Sequence, residues 1–197
     1  MIIQVLIGFL LFVCPLDGSD LKNLPAPCSL LPAFSDSLTV HIFLHDECMI
    51  SQYYTPALSK YYKTYSDKQV GFVGYFPNSS AKADKVKAFA EKYDLDFPLK
   101  SDFSKEYSKK FGVTVTPEVA VWDHRSDRLI YRGRIDDSYV RVGKRRLHIQ
   151  HEDLKDIIDG WLDGNAPVQI VETQAIGCFI NFGVAPSAPQ SPKGEEK

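Results

Sequence analysis

The sequence predicts an α/β fold, a central mixed β-sheet flanked by helices, with extensions at both ends. Two observations carry this. Apolar, β-rich runs alternate with stretches whose apolar residues recur at spacings of three and four, and the series closes with a strand pair and one last helix. With 197 residues, 44% of them hydrophobic, and no internal repeat, the chain suits one globular domain rather than two. The reading divides it into a signal peptide over 1–18, an N-terminal extension over 19–36, the α/β domain over 37–164, a C-terminal extension over 165–182 and a disordered tail over 183–197.

The elements follow in order. Leu38-Thr39-Val40-His41-Ile42-Phe43-Leu44 is a central strand that empties into the polar His45-Asp46-Glu47. Ile50, Tyr54, Leu58, Tyr61 and Tyr65 then mark an amphipathic helix, interrupted by Pro56, which removes a hydrogen bond and requires compensation. Residues 70–76 form a second strand, 81–93 a helix, 97–99 a short extended segment, and 104–111 a helix stopped by Gly112. Val113-Thr114-Val115 leads to Thr116-Pro117. Strands over 119–122 and 129–132 enclose the hairpin loop His124-Arg125-Ser126-Asp127, and 151–162 is the last helix.

Composition excludes some functions. A formal net charge of −2 supplies no basic field for nucleic acid, and the basic cluster at 141–146 is short enough to be a solvated loop. Residues 1–14 are apolar apart from Gln4, a length that matches a signal-peptide core and is too short for a bilayer-crossing helix. The expectation is export to the periplasm or cell envelope, with membrane attachment only if Cys14 is lipidated. A buried N-terminal element is the alternative, since no basic residue precedes Lys22.

Removal of Cys14 with the signal peptide leaves Cys28, Cys48 and Cys178 in a compartment that permits disulfides, where three thiols give one pair and one left over. Cys48 follows a strand and opens a helix, where unpaired N–H groups favour a thiolate, while Asp46 and Glu47 oppose it. The plain alternative is a buried structural cysteine. Ser51 either hydrogen-bonds the Cys48 sulfur or caps the helix, and His45 is either a proton relay or a solvent-facing loop residue. His148 and His151 share a helix spacing but lack a matched carboxylate pattern, so neither metal nor cofactor is expected.

Cys48 at a strand-to-helix junction, Pro56 in the following helix and the distant Thr116-Pro117 together resemble a thioredoxin-fold redoxin, in the group containing thioredoxins, the TlpA/ResA-like reductases and the AhpC/TSA relatives. Thr116-Pro117-Glu118, Tyr131-Arg132-Gly133-Arg134-Ile135-Asp136 and Ala175-Ile176-Gly177-Cys178-Phe179-Ile180 are similar to an uncharacterised bacterial branch with a C-terminal Gly-Cys. The resemblance implies a thioredoxin-like fold from about Leu38 to Leu162, Cys48 as nucleophile, and a cis peptide at Pro117. Backbone groups of Thr116 and Pro117 would then receive an extended substrate beside Cys48. Ser51 stands where a resolving cysteine is expected. The proline and threonine that precede a peroxidatic cysteine are absent from Leu44-His45-Asp46-Glu47-Cys48, so hydroperoxide reduction is not expected.

Two function classes follow. One is an exported thiol–disulfide oxidoreductase in which Cys48 attacks a protein or small-molecule disulfide and Cys178 replaces the missing resolving thiol. The other is a redox-inactive module that uses the Pro117 groove to bind a partner. Residues 168–173 give enough chain for Cys178 to fold back, and Gly177 permits a close approach. A structural Cys28–Cys178 pair is the competing connectivity.

Overall fold

The computed structural model describes residues 37–78 and 82–183. The expected signal peptide, the 19–36 extension, Cys14, Cys28 and all of the 183–197 tail except Gly183 lie outside the described residues.

The central strand is β1 (Leu38–Phe43), followed by α1 (Met49–Tyr65). β2 (Val70–Phe76) pairs parallel to β1, and α2 (Ala83–Tyr93) leads to β3 (Leu99–Ser101), which pairs parallel to β2. After α3 (Glu106–Phe111) come β4 (Val115–Thr116), β5 (Glu118–Asp123) and β6 (Arg128–Gly133). β5 runs antiparallel to β1, and β6 antiparallel to β5. β7 (Tyr139–Arg141) and β8 (Lys144–Arg145) form a hairpin, α4 (Asp153–Leu162) follows, and β9 (Val171–Glu172) and β10 (Cys178–Phe179) end the series. The main sheet has the order β3-β2-β1-β5-β6-β9, and β10 pairs with β4 in a separate two-stranded sheet.

Alternation along β1 sends its two faces into different packing layers. Leu38, Val40 and Ile42 join Leu58 of α1 and Leu154 and Ile158 of α4 in the larger core. Phe43 faces the other way, with Val73, Tyr75, Phe111 and Ile180. The sheet is therefore covered on both sides, and the loop after β1 leads to the buried Cys48.

The structure supports the mixed sheet flanked by helices and corrects its boundaries. β3 begins at Leu99 rather than 97 because Pro98 has no N–H to give; its carbonyl instead accepts from Gly74 N–H at 2.8 Å. α3 begins at Glu106 because the Asp102 carboxylate takes the N–H groups of Tyr107 and Ser108 from outside the helix. The N–H groups of Gln150 and His151 go to Asp137, so α4 starts at Asp153. The basic stretch read as a loop contains the second strand of a hairpin, braced by Arg146, whose Nε lies 3.2 Å from Asp137 Oδ2.

Pro56 has its compensation one residue earlier. Proline cannot donate to the Gln52 carbonyl four residues back, and the Thr55 hydroxyl donates to that carbonyl instead, at 2.8 Å. The helix can thus continue through a proline to Tyr65.

Candidate active site

Cys48 is the N-cap of α1. Its backbone is extended (φ −83°, ψ 114°), and its carbonyl accepts the first helical bond from Gln52 N–H at 3.0 Å. The first turn carries no acidic residue, and the Cys48 side chain makes no capping hydrogen bond to it. Asp46, one turn outside, is engaged elsewhere: Asn78 Nδ2 donates to its carboxylate at 2.7 Å, and His45 Nδ1 lies 3.3 Å from it. Cys48 is 2% exposed, whereas its neighbour Met49 is 78% exposed, so the residue is sunk beneath an apolar lip.

Ser51 is fully buried, and its partner is not the Cys48 sulfur. Its hydroxyl oxygen accepts from the backbone N–H of His45 at 3.2 Å, tying the first turn of α1 to the loop that delivers Cys48. His45 Nδ1 in turn accepts from the Glu47 N–H at 3.1 Å, a contact internal to that loop. These two residues shape the approach to the cysteine through backbone bonds.

β4 faces Cys48. The Thr116–Pro117 peptide is cis, and the Cys48 Sγ lies 3.3 Å from the Thr116 carbonyl oxygen, to which its thiol donates. Glu118, a residue that sequence reasoning passed over, fixes this segment from behind. Its buried carboxylate accepts from the N–H groups of Thr114 and Val115, at 2.9 and 3.3 Å. Burial pushes its acidity down, and the two N–H donors and Arg132 work against that rise in pKa. The available signal was a charged residue directly after Thr116-Pro117, inside an apolar run.

The C-terminal extension is carried to the site by two dockings. β9 pairs parallel with β6 and forms the edge of the sheet, where the Thr173 N–H donates to the Arg132 carbonyl at 3.0 Å and the Arg134 N–H donates to the Thr173 hydroxyl at 3.0 Å. Gly133 makes room for this contact, since a Cβ there would overlap Thr173 backbone and side chain. The chain then turns back, and β10 pairs antiparallel with β4, Cys178 opposite Thr116 and Phe179 opposite Val115. The Thr116 hydroxyl donates to the Cys178 carbonyl at 3.3 Å, and the Ile180 N–H donates to the Thr114 carbonyl at 2.9 Å.

This register brings the two sulfurs together, with Cys178 Sγ 2.8 Å from Cys48 Sγ. Although Cys178 as a residue is exposed, its sulfur turns inward against a buried one. Desolvation, and after it the adjoining Cys48 sulfur, push the Cys178 thiol up to about 11. Sequence reasoning placed Cys178 within reach of Cys48 but did not foresee that a strand would carry it there. The competing partner, Cys28, lies outside the described residues.

Tyr139, which interacts electrostatically with Cys48, packs with Tyr53 and Tyr54, their rings 5.0–6.1 Å apart, and the Arg145 guanidinium lies 4.7 Å from the Tyr53 centroid. The Tyr54 hydroxyl is committed to Asp136 at 2.6 Å. Among the described residues no three His, Cys, Asp or Glu side chains converge as a metal site, and no helix is long and apolar enough to cross a membrane.

A strand-to-helix cysteine facing a cis-proline segment across a mixed sheet defines a thioredoxin-fold redoxin. The AhpC/TSA family model matches residues 30–135, over half of the chain, and the protein belongs to that family. The match includes Cys48, Ser51, Thr116 and Pro117 and stops well short of Cys178. Among solved structures, a hypothetical protein from Sinorhizobium meliloti is 26% identical with a TM-score of 0.66, covering 77% of this chain and 84% of its own. An uncharacterized conserved protein from Geobacillus kaustophilus is also 26% identical with a TM-score of 0.66, covering 78% and 80%. The thioredoxin domain of a thiol-disulfide oxidoreductase from Bacteroides vulgatus shares the fold at 16% identity, TM-score 0.50, covering 67% and 84%. No protein in the curated comparison matches.

Proposed function

We propose that the protein is an exported thiol–disulfide oxidoreductase in which Cys48 is the nucleophile and Cys178 the resolving thiol. The observation that carries this reading is the 2.8 Å separation of the two sulfurs, held by the pairing of β10 with β4. The Cys48 thiolate attacks one sulfur of a substrate disulfide. A Cys48–substrate disulfide forms, the substrate S–S bond breaks, and the second substrate sulfur leaves as thiolate and takes a proton from solvent. Cys178 then loses its proton and attacks the Cys48 sulfur, forming Cys48–Cys178 and releasing the first substrate sulfur as a thiol. The substrate is reduced by two electrons and the protein oxidised by two, and an external dithiol or small thiol restores it. Run backwards, the same steps oxidise a dithiol.

The acidity of Cys178 fits the order of events. Two of the causes that hold its thiol up, the hydrogen bond to Cys48 and the charge on Cys48, exist only while Cys48 is free. Once Cys48 is tied into a mixed disulfide both vanish, and Cys178 ionises more readily at the step that needs its thiolate. Ser51 and Glu118 act as positioning residues, the first on the Cys48 loop and the second on β4. Thr116 and Pro117 supply the substrate-facing backbone. The apolar residues 1–14 support export and a periplasmic or cell-envelope location. A redox-inactive binding module is less favoured, because it gives no role to the approach of the Cys178 sulfur to that of Cys48.

The test is trapping. Cys178→Ser should leave mixed disulfides through Cys48 that outlive those of the wild type by about a hundredfold, since resolution becomes intermolecular. Mixed disulfides that resolve at the wild-type rate in this variant would remove Cys178 from the mechanism.

A further inference from the structure

β10 lies on β4, the strand whose Thr116 carbonyl faces Cys48, and it does so in an extended conformation with its own cysteine at the sulfur. It thereby displays what a segment must look like to present a sulfur to Cys48. Three positions of this segment are constrained in different ways. At Gly177 a Cβ would stand 2.0 Å from the Thr116 carbonyl oxygen and 2.6 Å from its carbon, both backbone atoms that cannot swing aside. At Phe179 the side chain is 85% exposed and touches little. At Ile180 it is 8% exposed and packs with Phe43, Val73 and Phe111, while its N–H bonds the Thr114 carbonyl.

We propose that the external substrate of Cys48 is an extended peptide disulfide of the pattern Gly-Cys-x-aliphatic, which takes the place of β10 on β4. Glycine is required before the cysteine because any side chain meets the Thr116 carbonyl. The next residue is free because its position faces water. A large aliphatic residue follows because it fills the cluster that Ile180 now fills. Backbone pairing to a strand edge supplies affinity, and these two pockets, one too small for a methyl group and one apolar, supply selectivity. Pro117 has no N–H and cannot extend the ladder beyond Thr116, so recognition is confined to this short register.

β10 itself is then a competitor. It is only two residues long, and a peptide gains access when it lifts away. Gly177 is not held at positive φ, so alanine is compatible with its backbone and acts only through the overlap with Thr116. Gly177→Ala should therefore undock β10 and leave the edge open.

The inference rests on Cys48 being the nucleophile, and the experiment separates the two. The probes are acetylated Ile-Gly-Cys-Phe-Ile amide with its cysteine activated as the thionitrobenzoate mixed disulfide, and versions with alanine for glycine or serine for the last isoleucine. Attack forms the Cys48–peptide disulfide and expels thionitrobenzoate, whose absorbance gives the rate. The proteins are full-length Cys178→Ser, with β10 docked and Cys48 free, and full-length Gly177→Ala/Cys178→Ser. The parent peptide should react about tenfold faster than either altered peptide, the loss expected for one backbone bond or one apolar contact. It should also react about tenfold faster with the double variant than with the single one. The small symmetrical aromatic disulfide reports the change in Cys48 exposure alone, and the tenfold peptide gain on the double variant is the gain left after division by the gain for this disulfide. Equal rates for the three peptides on Cys178→Ser overturn the proposal even if the double variant fails to fold, as do equal peptide rates, after that division, for two folded variants. Failure of Cys48 to react with the small disulfide overturns the nucleophile assignment instead.

Discussion

The two cysteines reach the same point from opposite kinds of structure. Cys48 is set by the core: its strand is paired on both sides, its helix packs on the sheet, and its side chain is nearly sealed. Cys178 rides on a two-residue strand whose next residue is exposed, tethered by Thr173 before it and Ile180 after it. The difference teaches that, under the proposed function, the nucleophile belongs to the scaffold while its partner is conditional. A resolving thiol on the helix itself would be as fixed as the nucleophile. One on a lightly held strand can arrive, exchange and leave.

The largest expected effect breaks the comparison at its fixed end. Cys48→Ser should reduce disulfide exchange to the uncatalysed background, because among the described residues no other thiol occupies the helix N-terminus. Exchange with a small aromatic disulfide at anything near the wild-type rate would show that the chemistry lies elsewhere.

Titration probes the conditional end. A thiol raised from 9.0 to about 11 has about a hundredfold less thiolate at pH 8, so Cys178 in the reduced protein should alkylate correspondingly slowly. Its rate should climb about tenfold per pH unit towards that value. Cys48→Ala removes two of the three causes and should raise the rate at pH 8, with alkylation followed by peptide mass spectrometry. A wild-type profile centred near pH 9 would dissociate Cys178 from Cys48.

Stability should divide the same way. Ile42→Ala, in the strand that leads to Cys48, should cost about 2–5 kcal/mol in global unfolding by denaturant. Gly177→Ala should cost about 1–3 kcal/mol, confined to the docking of β10. Amide exchange at Ile180, whose N–H holds β10 to the loop before β4, should accelerate while β1 amides stay protected. Equal acceleration in β1 would make β10 part of the core. The smallest effect concerns α1: Thr55→Ala leaves the Gln52 carbonyl without its hydroxyl donor and should lower stability by about 1 kcal/mol, read by thermal melting.

These regions also differ in how far the sequence revealed them. β1, α1 and β2 were legible because a fully paired strand and an amphipathic helix write their burial into the residue pattern, as Leu38, Val40, Ile42 and the Ile50-to-Tyr65 spacing do. The fold-level resemblance followed from Cys48, Pro56 and Thr116-Pro117, and the family match and the likeness to a thioredoxin domain bear it out. Less legible were contacts made by backbone groups. Ser51 bonds an N–H six residues back, Glu118 bonds two N–H groups just before it, and β10 is defined by pairing rather than by any period in two residues. The boundaries of α3 and α4 moved for the same reason, with Asp102 and Asp137 claiming N–H groups that a periodicity argument gives to the helices.

One measurement tests the central claim most directly: a disulfide map of the full-length protein after mild oxidation, by peptide mass spectrometry under non-reducing conditions. The account predicts a Cys48–Cys178 linkage that appears on oxidation and disappears with a dithiol reductant. Cys178 joined to Cys28 in every oxidised sample, with Cys48 left as a free thiol, would contradict it.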